Sequence, residues 1–301
     1  MFVSVIICTY NRASSLKRTL QSFIRQTTPT EEFELLVVDD GSVDNTAEVC
    51  RQMQVELPSL KYISAGTNIG LANAANLGIE SSRGDYILFT DDDCLPKEDW
   101  IERMRGELEH EDIVAGAVES PTSNYIKLCH NISQFHCFMP GRKVEWMDFV
   151  AGANVGFKRS VLEELGGFEK DRRRCPDTEL ILRARMKGYR IFFAKDAIIT
   201  HDPARTSLAS IFRYSSEHAS HTIPLRKKYK KLMHTPFVLR SRALVLLAAP
   251  VIALRVTLGI YLGNLRLLRV IHTVPVLFAL KLAWCWGAAC GLKELTVAGT
   301  K

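Results

Sequence analysis

The sequence predicts an α/β fold: a central, mostly parallel sheet flanked by helices, followed by a C-terminal region of apolar and basic helices. Three observations carry this. Through about residue 119, short Val/Ile/Leu runs alternate with amphipathic stretches, as expected of strands buried on both faces and the helices that cover them. Polar residues recur directly after each apolar run, where ligands of parallel sheets collect. The charge is also divided, since residues 1–200 hold 24 Lys+Arg against 30 Asp+Glu, whereas residues 201–301 hold 15 against 3. A chain of 301 residues accommodates one α/β domain plus an appendage.

Strands are expected at 3–8, 34–38, 60–64, 85–90 and 112–118, with helices at 14–26, 44–56, 70–82 and 97–109. Ser14 and Asp44 are candidate caps for the first two helices. Periodicity fades between 120 and 149, where Pro121, Pro140 and Gly141 act as breakers, so a variable, partly loop-like insertion is expected. Order returns at 150–157, followed by a short helix at 159–165, a longer one near 177–187 and a strand at 190–199. The eight cysteines show no CxxC pair, which favours reduced thiols in a cytosolic compartment. Met1 leads straight into an apolar run that is too short for a secretory signal and lacks its basic start, so the N-terminus reads as a first strand.

Four strand ends carry the chemistry: Thr9-Tyr10-Asn11-Arg12, Asp39-Asp40-Gly41-Ser42, Asn68-Ile69-Gly70 and Asp91-Asp92-Asp93. Three adjacent carboxylates are costly without a cation, and oxygen ligands of this kind suit Mg²⁺ or Mn²⁺ bridging to a phosphate. Asp91 and Asp93, alternate residues of an extended stretch, face the same way and can share one site. An acidic loop with a helix cap fits the same triplet. Asp39 and Asp40 can accept hydrogen bonds from a nucleoside, although Asp-Gly-Ser is also an ordinary turn. A zinc site at Cys129-His130 and His136-Cys137 matches no common spacing. Asn131-Ile132-Ser133 is a glycosylation sequon only in an exported chain.

The runs VSVIICTYNR (3–12), VVDDGSVDNT (37–46), NIGLANAANLGI (68–79) and GDYILFTDDDCLP (84–96), in this order, resemble a family 2 glycosyltransferase. With later matches, the resemblance covers roughly residues 3–205. It implies the GT-A fold, a Rossmann-like arrangement, and an inverting transfer of sugar from a nucleotide-diphosphate donor, UDP being the nucleotide most common in the family. It assigns Thr9, Asn11 and Arg12 to the first nucleotide-contacting loop, Asp39 or Asp40 to the base, and Asn68 and Gly70 to the next loop. Asp91 and Asp92 fall on the donor side, and Asp91 and Asp93 match the DxD metal motif, to which His201 is added as a ligand beside the diphosphate. The segment at 151–170 resembles the one packing under the acceptor site, with Gly166 and Gly167 at a helix end. The run at 175–191 resembles the catalytic-base helix, with Pro176 where Glu is usual and Asp177 keeping the second carboxylate as general base. A well-capped amphipathic helix explains the same run. Two further departures are Ala75, where Arg is frequent, and the loose match of Arg25 to Pro29.

The resulting organisation is a catalytic domain over 1–225, with a nucleotide-sugar-binding half at 1–119 and an acceptor-side half at 120–225, and a basic, hydrophobic tail at 226–301. The cluster RKKYKK at 226–231 precedes two apolar stretches, 243–265 and 270–292, each long enough to span a bilayer. Basic residues interleaved with apolar runs fit a membrane surface better than nucleic acid. Arg255 and Lys281 each place a charge mid-span at a cost of roughly 2.5–3.5 kcal/mol, and a hairpin would send Arg266 and Arg269 outward. Interfacial or re-entrant helices on the cytoplasmic face therefore fit better than two spans, with a soluble helical subdomain as the other reading. No Gln-x-x-Arg-Trp motif of the processive synthases is present, so single-sugar transfer to a saccharide or lipid-linked acceptor is expected. The rivals are a catalytically silent membrane-associated adaptor and a sugar nucleotidyltransferase, whose glycine-rich first loop is missing from 9–12.

Overall fold

A computed structural model describes residues 1–172, 174–233 and 235–298. Its strands are β1 (Val3–Thr9), β2 (Phe33–Asp39), β3 (Leu60–Ser64), β4 (Tyr86–Asp91), β5 (Cys94–Pro96), β6 (Ile113–Glu119), β7 (Trp146–Met147), β8 (Asn154–Lys158) and β9 (Ile191–His201). The helices are α1 (Ala13–Phe23), α2 (Thr46–Met53), α3 (Leu71–Ser81), α4 (Trp100–His110), α5 (Tyr125–Phe135), α6 (Arg159–Leu165), α7 (Pro176–Met186), α8 (Leu208–Lys228), α9 (Arg242–Gly263) and α10 (Val274–Ala298). Two compact units divide the chain: residues 1–119 with 138–204, and residues 120–137 with 205–301. This partition differs from the 225/226 boundary because α8 runs unbroken through it, and because 120–137 joins the second unit.

In the first unit, the strand order is β3-β2-β1-β4-β8-β6-β9-β5, with β7 alongside β9. β3, β2, β1 and β4 are mutually parallel, β8 is antiparallel to β4 and β6, and β9 runs parallel to β6. The Val/Ile/Leu runs of β1 and β2 are almost wholly buried, as parallel strands covered on both faces require. Registers Thr9↔Asp39 and Cys8↔Asp91 then bring three polar strand ends to one edge of the sheet.

Local corrections have physical causes. Ser14 is not the cap of α1 but lies inside it. Asp44 instead serves both helices: Oδ2 accepts the Ala13 N–H (3.0 Å) at the start of α1, and Oδ1 accepts the Thr46 N–H (3.1 Å) at the start of α2. The stretch 120–149, expected to be loop-like, contains α5. Asn124 caps it, its Oδ1 accepting the Ile126 and Lys127 N–H groups, and Leu128, Cys129 and Ile132 bury one face. Pro121 punctuates the approach to that helix and does not prevent it. The helix ends at Gly166 and Gly167 as expected: α6 closes with Gly166 left-handed (φ 70°) and the Gly167 N–H donating to the Leu162 carbonyl (2.9 Å).

β6 and β9 keep register on both sides of an irregularity between Gly116 and Ala117, where β9 carries three additional residues, 195–197. Asn154 fills that irregularity. Its Nδ2 donates to the Ala117 (2.8 Å) and Ala197 (3.0 Å) carbonyls, and its Oδ1 accepts the Trp100 indole N–H (2.9 Å). Gly116 is required opposite it, because a Cβ there would collide with the Asn154 amide.

In the second unit, α10 packs on α8 through small residues. Gly287 and Gly291 face the Ser216 and Ser220 carbonyls, and a Cβ at Gly291 would stand 2.6 Å from the latter. The Ser215 hydroxyl donates to the Leu280 carbonyl (2.9 Å), and Lys281 Nζ donates to the Ser133 carbonyl (2.9 Å) and hydroxyl (3.0 Å) on α5. Stretches 242–263 and 265–293 are long and apolar enough to cross a membrane by length and composition. Val245, Ala249 and Ala253 bury one side of α9, whereas Leu247, Val251, Leu254, Leu258 and Leu262 are exposed along the other.

Replacing Asn154 with Leu keeps the volume but strands the Trp100 N–H and two buried carbonyls. The variant is expected to lose about 3 kcal/mol of stability, read as a lowered thermal midpoint by circular dichroism; melting alongside wild type would refute this role.

Candidate functional site

The β1 end begins the site. Thr9 Oγ1 donates to Asp92 Oδ2 (2.7 Å), and the chain then turns through Asn11 in the left-handed region (φ 53°), which Asn tolerates better than most residues. The Asn11 N–H donates to Ser42 Oγ (2.8 Å), and its Oδ1 accepts the Val43 N–H (2.8 Å), so the loops after β1 and β2 are stitched together. That turn delivers Arg12, whose fork grips Asp92 Oδ1 (2.7 Å) and Asp93 Oδ2 (2.5 Å).

At the end of β2 both carboxylates are engaged in loop construction. Asp39 Oδ1 accepts the Ser42 N–H (2.8 Å), and its Oδ2 accepts the Tyr62 hydroxyl (2.6 Å). Burial and that carboxylate push the Tyr62 phenol up to about 12, which keeps it a donor. Asp40 gathers the Ile69 (2.6 Å) and Gly70 (3.1 Å) N–H groups. Gly41 (φ 81°) permits the close approach, since a Cβ there would lie 2.7 Å from the Asn68 backbone nitrogen. Asn68 itself is exposed at this rim, and Gly70 (φ 87°) opens α3.

The triple aspartate follows at the mouth of β4. Asp92 and Asp93 are 3% and 4% exposed, while Asp91 keeps surface open to solvent. Burial raises the Asp91 carboxyl above the ordinary range, reinforced by Asp93, Asp92 and Asp177. Burial likewise pushes Asp92 to about 6, against the pull of Arg12. The short strand β5 then pairs with β9 in the register Cys94↔His201, which sets the His201 Nε2 3.4 Å from Asp93 Oδ1.

Ligand atoms of Asp91, Asp93, Cys94 and His201 lie within 4.8 Å of one another, the only such grouping among the described residues. Cys129, His130, His136 and Cys137 form none. Burial raises the Cys94 thiol well above its ordinary value, so it does not offer a thiolate. The remaining donors, two carboxylates and an imidazole, fit Mg²⁺ or Mn²⁺.

Asp177 stands in the first turn of α7, behind Pro176, near enough for its charge to raise Asp91. Gly152, in the 151–170 segment, packs against it: a Cβ there would be 2.8 Å from Asp177 Oδ2. Sequence reasoning missed Tyr62 and Asn154, which act across the sheet; it placed Ser42 at the β2 strand end and Asp44 at one helix start without their contacts to the β1 loop. Asn131, a sequon residue only in an exported chain, is fully buried and donates to Ser120 Oγ (3.1 Å).

Arg12 is the internal counter-ion of Asp92 and Asp93. Arg12→Ala is expected to lower stability by about 2–3 kcal/mol, toward the low end for a broken buried pair because the guanidinium side is 34% exposed. Mn²⁺ should raise the melting temperature of this variant more than that of wild type. Equal metal-induced shifts would show that Arg12 does not serve as the counter-charge.

Comparison with known proteins follows the same lines. The profile described as Glycosyl transferase family 2 matches residues 4–166. Glycosyltransferase AglE of Haloferax volcanii is 32% identical over 206 residues, covering 68% of this chain and 67% of its own length. Glucosyl-dolichyl phosphate glucuronosyltransferase of the same organism is 26% identical over 235 residues, covering 72% of each. Relatives from Bacillus subtilis and Streptococcus pneumoniae are matched over 49% and 44% of their own length. Among solved structures, mannosyltransferase PcManGT from Pyrobaculum calidifontis, in complex with GDP-Man and Mn²⁺, is similar at a TM-score of 0.68 and 22% identity over 97% of this chain and 86% of its own. TarS 1–349 of S. aureus, in complex with UDP-GlcNAc, gives 0.56 and 19% over 74% and 67%. At these identities the likeness establishes a shared fold, the GT-A arrangement. With the profile spanning more than half of the chain and converging on the strand ends described above, the protein belongs to glycosyl transferase family 2.

Proposed function

We propose that this family 2 glycosyltransferase is inverting and metal-dependent, and moves a single sugar from a UDP-sugar to the hydroxyl of a lipid-linked saccharide. The observation that carries the reading is the meeting of the Asp91, Asp93 and His201 cluster with the Asp177 carboxylate at the carboxyl ends of the strands. Bound there, Mg²⁺ or Mn²⁺ supplies Lewis-acid stabilisation of the departing diphosphate. Thr9, Asn11, Arg12, Asp39, Asp40, Asn68 and Gly70 form the nucleotide wall, within a donor half at 1–119. Asp92, held by Thr9 and Arg12, fixes the spacing of its neighbours on the donor side.

Asp177 takes the proton of the acceptor hydroxyl as its oxygen bonds to the anomeric carbon and the bond from that carbon to the diphosphate oxygen breaks. One displacement from the opposite face inverts the configuration. The choice of UDP rests on its frequency in the family and on UDP-GlcNAc in the TarS complex, with GDP, as in PcManGT, the competing nucleotide. A lipid-linked acceptor is supported by the two long apolar helices and by the relative that acts on glucosyl-dolichyl phosphate. The tail at 226–301 associates with the cytoplasmic face of a membrane, a placement in keeping with eight free cysteines.

A thermal-shift screen of nucleotide diphosphates with and without Mn²⁺ identifies the donor; stabilisation by none of them overturns the reading. Loss of Mn²⁺-dependent donor hydrolysis in Asp93→Ala separates an enzyme from a silent adaptor. Asp177→Asn should reduce kcat by roughly 10²–10⁴-fold with the donor KM unchanged. Gly152→Ala should reproduce part of that loss by displacing the base, and wild-type turnover in both variants would remove Asp177 from the chemistry.

A further inference from the structure

The second unit contains a cavity of about 840 Å³ that the glycosyl-transfer reading leaves unused. Six cations line it: Arg226, Lys227 and Lys230 from the end of α8 and just beyond, Arg240 ahead of α9, Arg242 as its first residue, and Lys293 from α10. No acidic side chain lines it among the described residues. The last turn of a helix favours basic residues, which accounts for Arg226 and Lys227 alone. It does not account for Arg240, Arg242 and Lys293, which arrive from two other elements. Charges of one sign drawn together in a concavity repel unless an anion joins them.

The α9 N-terminus adds to this field. Ser241, its N-cap residue, lines the cavity and makes no side-chain capping bond, so the first N–H groups of a 22-residue helix are left for an external acceptor. The floor is apolar, with Ile223 and Leu239 buried beneath the cations. An amphiphile's phosphate matches the cations and the helix end, and the cavity lies in the unit whose two helical stretches are long and apolar enough to cross a membrane.

We propose that this cavity is a binding site for the phosphate monoester of an anionic lipid headgroup. Arginine forks supply bidentate contacts to phosphate oxygens, the lysines supply point charges and the α9 N-terminus supplies backbone donors. The site rests on the reading of the second unit as membrane-associating, and it adds a defined headgroup contact to that reading.

The test uses the full chain in neutral detergent, titrated with dioctanoyl phosphatidic acid, dioctanoyl phosphatidylcholine and inorganic phosphate. Phosphatidic acid should bind more tightly than either comparator. In Lys230→Gln/Arg242→Gln, two exposed cavity positions, its Kd should rise roughly tenfold. The charge-matched Arg266→Gln/Arg269→Gln pair, outside the cavity lining, should change it less than about twofold. Arg226→Lys, which keeps the charge but removes the fork, should weaken phosphatidic acid binding. Equal losses in the two double variants would reduce the site to diffuse surface charge and overturn the proposal. So would phosphatidylcholine binding as tightly as phosphatidic acid, or inorganic phosphate matching its affinity, the latter marking a free-anion site. Association of the chain with neutral phosphatidylcholine vesicles needs no cation in the cavity, so it tests the membrane reading separately.

Discussion

The structure of the first unit depends on compensating a desolvated cluster of negative charge. Asp92 and Asp93 sit within the protein at the mouth of β4, and Arg12 is the cation that makes their burial tolerable. Arg12 reaches them only because β1 lies beside β4 in the register Cys8↔Asp91, and because Asn11 turns the chain back through a left-handed conformation. Asn11 is in turn pinned to Ser42 and Val43, which fixes the β2 loop to the same frame. Asp40 then draws in Ile69 and Gly70. One electrostatic requirement thus organises three consecutive strand ends.

Much of this was legible because strand ends and candidate site residues coincide. A short apolar run such as ILFT, closed by carboxylates, reads as a buried strand, and those carboxylates mark its end, where ligands of parallel sheets collect. The strand limits of β1 to β4 and β6 accordingly fall within a residue of the sequence reading. Contacts between distant segments left no such trace. Nothing local to Asp44 announces that it serves two helices, and nothing near Asn154 announces that two strands and Trp100 close around it. β5 is three residues long, too short for a period to register, yet it is what carries His201 to Asp93. α5 was obscured by a proline whose effect ends before the Asn124 cap.

The C-terminal helices show why apolar length alone does not decide how a segment meets its surroundings. Hydropathy treats Arg255 and Lys281 alike, as charges stranded in a span. Lys281 is instead satisfied inside the helical unit by Ser133, whereas Arg255 remains exposed on α9. The glycines and serines of α8 and α10, unremarkable in composition, set the closest approach of the two backbones.

The irregularity in β9 has a bearing on how such a chain can diverge. Residues before and after 195–197 are indexed to β6 separately, with Ala194 opposite Gly116 and Ile198 opposite Ala117. Lys195 and Asp196 are exposed between them. A strand in continuous register transmits every inserted or deleted residue to all positions beyond it, turning inward side chains outward. Here the outward loop can absorb a change in length while Ile198 to His201 keep their alignment. The segment therefore acts as a joint at which lineages can gain or lose residues on one side without moving the imidazole on the other.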